Sequence, residues 1–426
     1  MPALWPPGQR PSARLQESLR QLRYGLSSRR LLRLTSPPPV RPDSTLSVLD
    51  VTKHYGETTG GVRTYIDQKS AYVAAHPPLR HVVVVPGERY AVAESPGTRT
   101  YRLPGPPIPT QRPYRWLHSV SALREILRAE RPDLIEIGSP FLVPWVTREA
   151  ARGLGIPLAW FYHGNVPRLI SQQPDRDALA RRIGYRAAWS YVRAVSRRVH
   201  ATLVASDFVA ADLEREGIAN VIRVPLGVDL DRFRPADQAT RDESRRRFGL
   251  PAGPLAVYCG RFAREKHLDV LIRAWPAVRQ KTGATLALVG DGPSAAWFRQ
   301  VPGADQVRWI PFERDRSLLA GLLAAADLYV APGPAETFGL AALEALAGGT
   351  PVLSVDSGGV PEMVRHSGAG DVYPVGDADA LARQAVSLIE RDLPALGRLG
   401  RAYAAREHAW PRVFDRIFRV YRSLVS

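Results

Sequence analysis

Between residues 46 and 356 one pattern recurs: a short, almost wholly apolar run ends in glycine or a polar turn, and a longer amphipathic stretch follows. The first series of runs is LSVLDV (46–51), HVVVV (81–85), DLIEIG (133–138), LAWFYHG (158–164) and ATLVAS (201–206). After VIRVPLGVDLDRF come Pro235 and a polar, arginine-rich helical stretch over 239–248. A second series then opens with LAVYCGRF (255–262), TLALVGDG (285–292), VRWIPF (307–312), DLYVAPG (327–333) and PVLSVD (351–356). Helical patterns such as DVLIRAWPAVRQ (269–280) and ALARQAVSLIE (380–390) separate them. Strands this apolar must be covered on both faces, which is the condition of a parallel sheet with helices packed above and below. The fold class is therefore α/β, with two doubly wound parallel-sheet domains of the Rossmann-like kind, over residues 45–235 and 236–404. Ligands of such sheets bind beyond the carboxyl ends of the strands, here expected in the cleft between the domains. The terminal segment 405–426, with the apolar stripe of WPRVFDRIFRVYRSL (410–424), is assigned back to the first domain.

A length of 426 residues suits two or three domains, and a hydrophobic fraction of 45% is that of a soluble globular chain. No apolar run reaches the roughly 18 residues of a membrane-spanning helix, and no secretory leader is expected at the start. The single cysteine, Cys259, excludes an internal disulfide and a cysteine-built metal cluster, and points to a reducing, cytoplasmic setting. Of 58 basic residues only four are lysines, so much of the formal charge of +17 reflects a general preference for arginine. That charge fits a membrane surface or phosphorylated small molecules, and no nucleic-acid-binding module accompanies it. Residues 1–44 stand apart, with eight arginines and the proline clusters WPPG and SPPPVRP. Leu15, Leu19, Leu22 and Leu26 share one helical face there, as in a helix lying on an anionic membrane. A disordered extension, a transit peptide or a start placed too far upstream would read the same way.

Chemistry-bearing residues concentrate at the strand ends. In GETTGGV (56–62), Gly60 and Gly61 let backbone amides approach a phosphate at a helix amino terminus, although a plain turn fits equally. In YCGRFAREKHLDVL (258–271), Gly260 and Arg261 end a strand and Lys266 enters the next helix, so two cations can meet one anion. Lys266 is one of the few lysines kept, which suggests a demand for a compact ammonium. LVGDGP (288–293) turns at Gly290 and Gly292. In AETFGLAALEALAGGTP (335–351), Glu336 precedes a helix expected to begin near Thr337 or Phe338. The free amides of Phe338, Gly339 and Leu340 point the same way. Glu344 falls two turns into that apolar helix, where a carboxylate needs a partner. His163, at a strand end in FYHGN, is the strongest histidine candidate. The DxD pairs Asp229–Asp231 and Asp377–Asp379 lie in loops away from these groups, and no metal site is assigned.

Taken in order, GGV, HG after a central strand, GRxxxEK, VGDGP and ETFGLAALE resemble glycosyltransferase family 4, over roughly residues 46–424. The resemblance implies the GT-B fold, two Rossmann-like domains facing across a cleft. It implies a retaining, metal-independent transfer of a hexose from GDP-mannose or a UDP-hexose to a hydroxyl of a glycan, lipid or small-molecule acceptor. The carried-over roles give Gly61 a backbone contact to the donor diphosphate, and Arg261 and Lys266 the leaving group. Glu336 and the amides of Phe338, Gly339 and Leu340 hold the sugar, Glu344 the ribose, and His163 sits near the reacting carbon. Gly60, Gly260 and Gly290 complete the donor-binding set. The donor phosphate itself takes the acceptor proton. His267 departs from the pattern, standing where the family's EKG has glycine. The expected setting is cytoplasmic or peripheral on the inner membrane face, with no cofactor beyond the co-substrate and no nucleic-acid partner. Alternatives are an epimerase or phosphorylase on the same architecture, or a basic membrane- or polyanion-binding protein.

Overall fold

A computed structural model describes residues 46–56, 60–109, 114–171 and 177–426, so the readings made on residues 1–44 lie outside the described residues. The first sheet is built from β1 (Leu46–Val51), β2 (Leu79–Gly87), β3 (Ala91–Ser95), β4 (Thr98–Pro104), β5 (Leu134–Ile137), β6 (Leu158–Phe161), β7 (Ala201–Val204) and β8 (Val221–Arg223). Their order is β3-β4-β2-β1-β5-β6-β7-β8. Strands β4, β2, β1, β5, β6 and β7 pair in parallel, and only the β3–β4 hairpin is antiparallel among the pairings described. The second sheet holds β9 (Leu255–Cys259), β10 (Thr285–Val289), β11 (Val307–Ile310), β12 (Leu328–Ala331), β13 (Val352–Val355) and β14 (Gly370–Tyr373). Its order is β11-β10-β9-β12-β13-β14, parallel throughout. Central strands such as β5, β12 and β13 are buried at every position, as two-sided coverage requires.

By contact the chain divides into two compact units. The first takes the described residues up to His163 with Ala194–Leu203 and Arg419–Ser426; the second takes Gly164–Arg193 and Val204–Phe418. The bounds of this division stand beside those read from the sequence, 45–235 with 405–426, and 236–404. One contribution to it is local: Arg168 binds Asp212 through two nitrogens, and Glu362 accepts the amides of Asp207 and Phe208, tying these segments into the second unit. The helix Trp410–Val425 contributes its last turns to the first unit. No helix among the described residues is long and apolar enough to cross a membrane.

In the first unit the helix Gly61–Ala74 carries Lys69, which is fully buried. Its ammonium meets Asp50 of β1 at 2.9 Å, Glu136 of β5 at 3.3 Å and the Tyr421 hydroxyl at 2.9 Å. The Tyr421 hydroxyl donates to Glu136, and the Tyr65 hydroxyl donates to it at 3.1 Å. One ammonium cannot neutralise two buried carboxylates, and the proton settles the difference. Asp50, supported by Lys69 and His81, stays below the usual carboxylate range although burial opposes it. Burial pushes Glu136 up to about 7, against the pull of Lys69 and with the help of Asp50.

Candidate functional site

Leaving aside the antiparallel β3, the strand order in each sheet reverses once, between β9 and β12 in the second and between β1 and β5 in the first. At such a reversal the crossover connections leave toward opposite faces and open a crevice at the carboxyl ends of the strands. In the second unit, Gly260 and Arg261 follow β9, and Glu336 follows β12. Gly290, with φ +143°, has no room for a side chain: a Cβ there would lie 2.0 Å from the Gly260 carbonyl oxygen. A Cβ on Gly292 would lie 2.4 Å from the Phe262 carbonyl, and one on Gly260 2.7 Å from the Tyr258 hydroxyl. These three glycines therefore interlock the ends of β9 and β10 and bring backbone, not side chains, to the crevice.

Past this knot the chain makes the short 3-10 turn Arg264–Lys266, and His267 takes φ 49°, ψ 36°. That is the left-handed conformation a glycine adopts freely, so the histidine fills the family's glycine position at some backbone cost. The turn aims the Lys266 ammonium at Glu336, 2.5 Å from its Oε1. Arg261, 62% exposed, pairs with Glu265 at 2.5 Å. The Tyr258 hydroxyl, buried beneath, donates to the Arg261 carbonyl at 3.3 Å, and burial, with Glu336, Cys259 and Glu265 adding to it, raises it well above its ordinary pKa.

The helix expected from Thr337 or Phe338 begins at Leu340 instead. Gly339 holds φ +92° against Val360, a conformation incompatible with the helix, so Thr337 and Phe338 stay in the turn. The amides of Phe338, Gly339 and Leu340 make no backbone hydrogen bond with a described residue, as expected at a helix start. The loop is backed by Ser357, Gly358 and Gly359: the Gly359 amide donates to the Glu336 carbonyl at 2.7 Å, and the Ser357 hydroxyl to the Pro334 carbonyl at 3.0 Å. A Cβ on Gly358 would lie 2.9 Å from the Glu336 carbonyl. Sequence reasoning passed over this glycine pair, although two glycines directly after a strand were a usable signal.

Glu344 lies in the second turn of the helix, and the partner its burial demands is Arg316, which also covers the Phe233 ring. Burial still raises its pKa despite that cation. Arg316 was not foreseen; it stands 28 residues away in sequence, on another helix. Cys259 is pushed up to about 12 by burial beside Glu344, so it is no thiolate at neutral pH. Of the DxD residues, Asp377 accepts the Ala380 amide at 2.8 Å as a helix cap, and Asp229 accepts that of Arg232 at 3.0 Å. Among the described residues no group of acids, histidines and cysteine is arranged to hold a metal ion.

In the first unit, Gly60 caps the helix that Gly61 begins, and a Cβ on Gly60 would meet nothing within 4 Å. Among the described residues nothing packs against that position. His163, after β6, stacks on Phe161 at 4.1 Å between ring centroids and meets the Tyr65 ring edge-on at 5.6 Å. Burial, with His54 and Lys69 nearby, lowers its pKa to about 3, so its imidazole is neutral. His163 and Tyr65 place the charged cluster around Lys69 directly behind this strand end.

Two family models match the chain. One described as Glycosyltransferase Family 4 covers residues 59–232, and one described as Glycosyl transferases group 1 covers 253–391. A GDP-mannose-dependent alpha-(1-6)-phosphatidylinositol dimannoside mannosyltransferase of Mycobacterium tuberculosis is 34% identical over 355 residues, 81% of this chain and 89% of its own. A GDP-mannose-dependent alpha-mannosyltransferase of the same species is 31% identical over 345 residues, 80% and 85% of the two chains. Among solved structures, sucrose-phosphate synthase from Thermosynechococcus elongatus superposes with a TM-score of 0.73 at 24% identity, covering 89% of this chain and 99% of that one. A glycosyltransferase from Rickettsia africae gives 0.67 at 13% identity, covering 90% and 99%. At these identities the structural matches speak for the fold alone.

Proposed function

The chain belongs to glycosyltransferase family 4, with the GT-B fold, and from that premise we propose that it transfers mannose from GDP-mannose to a hydroxyl of a lipid or glycan acceptor, retaining anomeric configuration and using no metal. The observation that carries this reading is the Lys266–Glu336 pair at 2.5 Å, set where the order of the second sheet reverses. Breaking a glycosyl phosphate leaves negative charge on the diphosphate, and fixed cations at that point lower the barrier. Lys266 and Arg261 are assigned that charge. Glu336, already engaged by Lys266, is assigned to sugar hydroxyls and not to nucleophilic attack. Glu344 is assigned to the ribose hydroxyls, with Arg316 fixing its carboxylate. In the first unit, Gly61 is assigned a backbone contact to a diphosphate, and His163 a hydrogen bond from its neutral imidazole to a sugar hydroxyl. The donor's identity is supported by the names of the mycobacterial relatives, both GDP-mannose-dependent.

The test is a panel of GDP- and UDP-sugars, with EDTA present, read by nucleotide release and by the anomeric configuration of the product. Turnover of GDP-mannose in EDTA is expected. Turnover restored only by added divalent cation would overturn metal independence, an inverted product would overturn retention, and no turnover or binding of any donor would sink the assignment. Peripheral association with a membrane belongs to the same proposal: deleting residues 1–44 is expected to weaken liposome binding, and unchanged binding would remove that segment as an anchor.

A further inference from the structure

Three of the four lysines in this arginine-rich chain occupy special positions. Lys69 serves Asp50 and Glu136, and Lys266 meets Glu336. Lys53, directly after β1, has no such partner. It is 4% exposed, and its ammonium makes no ion pair or hydrogen bond with any described residue. Its surroundings are two aromatic rings, with Nζ 5.4 Å from the Phe141 centroid and 5.9 Å from that of Trp116. Those distances are near the outer limit of a useful cation–π contact, about 6 Å. The stem is buried while Nζ keeps access to solvent, and no described carboxylate neutralises it. Burial alone pushes its pKa down, with no carboxylate opposing.

The neighbouring groups fix the backbone on either side of Lys53. Ser139, directly after β5, accepts the Lys53 backbone amide at 2.9 Å and lies 2.8 Å from the Thr52 hydroxyl and 3.2 Å from the His54 Nδ1. His54 is lowered to about 4 by burial and by Lys53, and is therefore a neutral hydrogen-bonding group. Phe141 closes the arrangement in an unusual state: 45% exposed, with φ 68° and ψ −108°. A non-glycine backbone held there is strained, and such strain concentrates where a ligand is gripped. The whole set lies where β1 and β5 adjoin, at the reversal of the first sheet.

We propose that Lys53 and His54, held in place by the buried hydroxyls of Thr52 and Ser139 and walled by Phe141, form a subsite for a phosphate ester carried by the acceptor. The proposal rests on the glycosyltransferase reading and narrows its acceptor class to anionic ones, whether a soluble polyol phosphate or the phosphodiester of a lipid headgroup. With only four lysines, the full chain can be acetylated under limiting conditions and each site followed by mass spectrometry. The probes are inorganic phosphate, sn-glycerol 3-phosphate, glycerol, and phosphatidylcholine vesicles with or without phosphatidylinositol. Acetylation of Lys53 is expected to slow with the phosphate esters and not with glycerol, while exposed Lys281 reacts unchanged. Protection by glycerol 3-phosphate identifies a soluble source, and protection only by phosphatidylinositol vesicles a lipid one. In parallel, Lys53→Met is expected to weaken binding of the protecting ester about tenfold or more, the value of one charge-assisted contact. Equal Lys53 reactivity with every probe overturns the proposal, as does unchanged ester binding by Lys53→Met. GDP binding by the unmodified protein, titrated separately, tests the donor reading. Binding of GDP with no protection of Lys53 removes this subsite alone, whereas protection with no GDP binding removes the donor assignment alone.

Discussion

Glu136→Gln should change how the stability of the first unit depends on pH. In the folded chain Glu136 sits beside one ammonium that is already committed to Asp50, and it titrates near 7 against an ordinary value of 4.5. Below about pH 4.5 both folded and unfolded chains hold its proton, and the site imposes no penalty. As pH rises, the unfolded chain releases the proton first, so stability falls through the window from about 4.5 to 7 and stays low above it. A gap of about 2.5 at 1.36 kcal/mol per pKa unit amounts to roughly 3 kcal/mol. Glutamine mimics the protonated acid: its amide oxygen can accept from Lys69 while its NH₂ donates to the hydroxyls of Tyr65 and Tyr421. The remaining Lys69–Asp50 pair is then neutral overall. The variant should therefore gain about 3 kcal/mol on the wild type between pH 4 and pH 8, whatever their difference at pH 4.

A chain of two units need not unfold in one step, so native-state hydrogen exchange of the β1 and β5 amides at several pH values is the suitable assay. Asp50 titrates below this window and the surface carboxylates are common to both proteins, so their slopes cancel. Parallel curves for wild type and variant would show that Glu136 titrates in the folded chain as it does in the unfolded one, and the account of one ammonium shared by two acids would fail.

Three further outcomes are expected. Lys266→Ala should lower kcat by roughly 10²–10³-fold with an unchanged circular dichroism spectrum, and Glu336→Gln should do likewise through loss of sugar positioning; wild-type rates in either would refute the assigned roles. His267→Gly should raise stability by up to about 1 kcal/mol in urea denaturation, since the left-handed backbone no longer carries a Cβ, and a clear loss would show that the imidazole itself holds the turn. Because burial holds His163 near 3, rates should show no acid limb around pH 6 from this residue; such a limb in the wild type that is lost in His163→Gln would contradict a neutral imidazole.

The alternation of apolar runs and helices was legible because parallel strands are buried on both faces and leave little room for polar residues. Strand β1 could be read residue for residue from LSVLDV. The hairpin of β3 and β4 could not: TRTYRLP carries Arg102 on an exposed side and buries Arg99 beside Glu130, a partner distant in sequence. The helix start near Glu336 was placed too early because it depends on the dihedral angles of Gly339, which neighbouring packing against Val360 imposes. The carboxylate positions Glu336 and Glu344 were legible as oddities in an apolar stretch, but not their partners. Lys266 lies 70 residues from Glu336, and Tyr421 lies 352 from Lys69, so only the folded chain brings them together.

One compositional signal carried more information than it first offered. A planar guanidinium with five donors cannot take the place of a compact ammonium at every site. At Lys69 the ammonium has Asp50, Glu136 and the Tyr421 hydroxyl around it and no solvent to absorb surplus donors. At Lys266 a compact charge must approach Glu336, and a Cβ at Gly333 would lie 3.6 Å from the lysine Cδ. Lys281, exposed near the end of the helix Leu268–Thr282, shows that surface lysines also persist, so scarcity alone does not identify a site. Scarcity combined with reduced exposure does: it separates buried Lys53 and Lys69 and half-buried Lys266 from Lys281, and Lys53 is the one of the three that meets no described carboxylate.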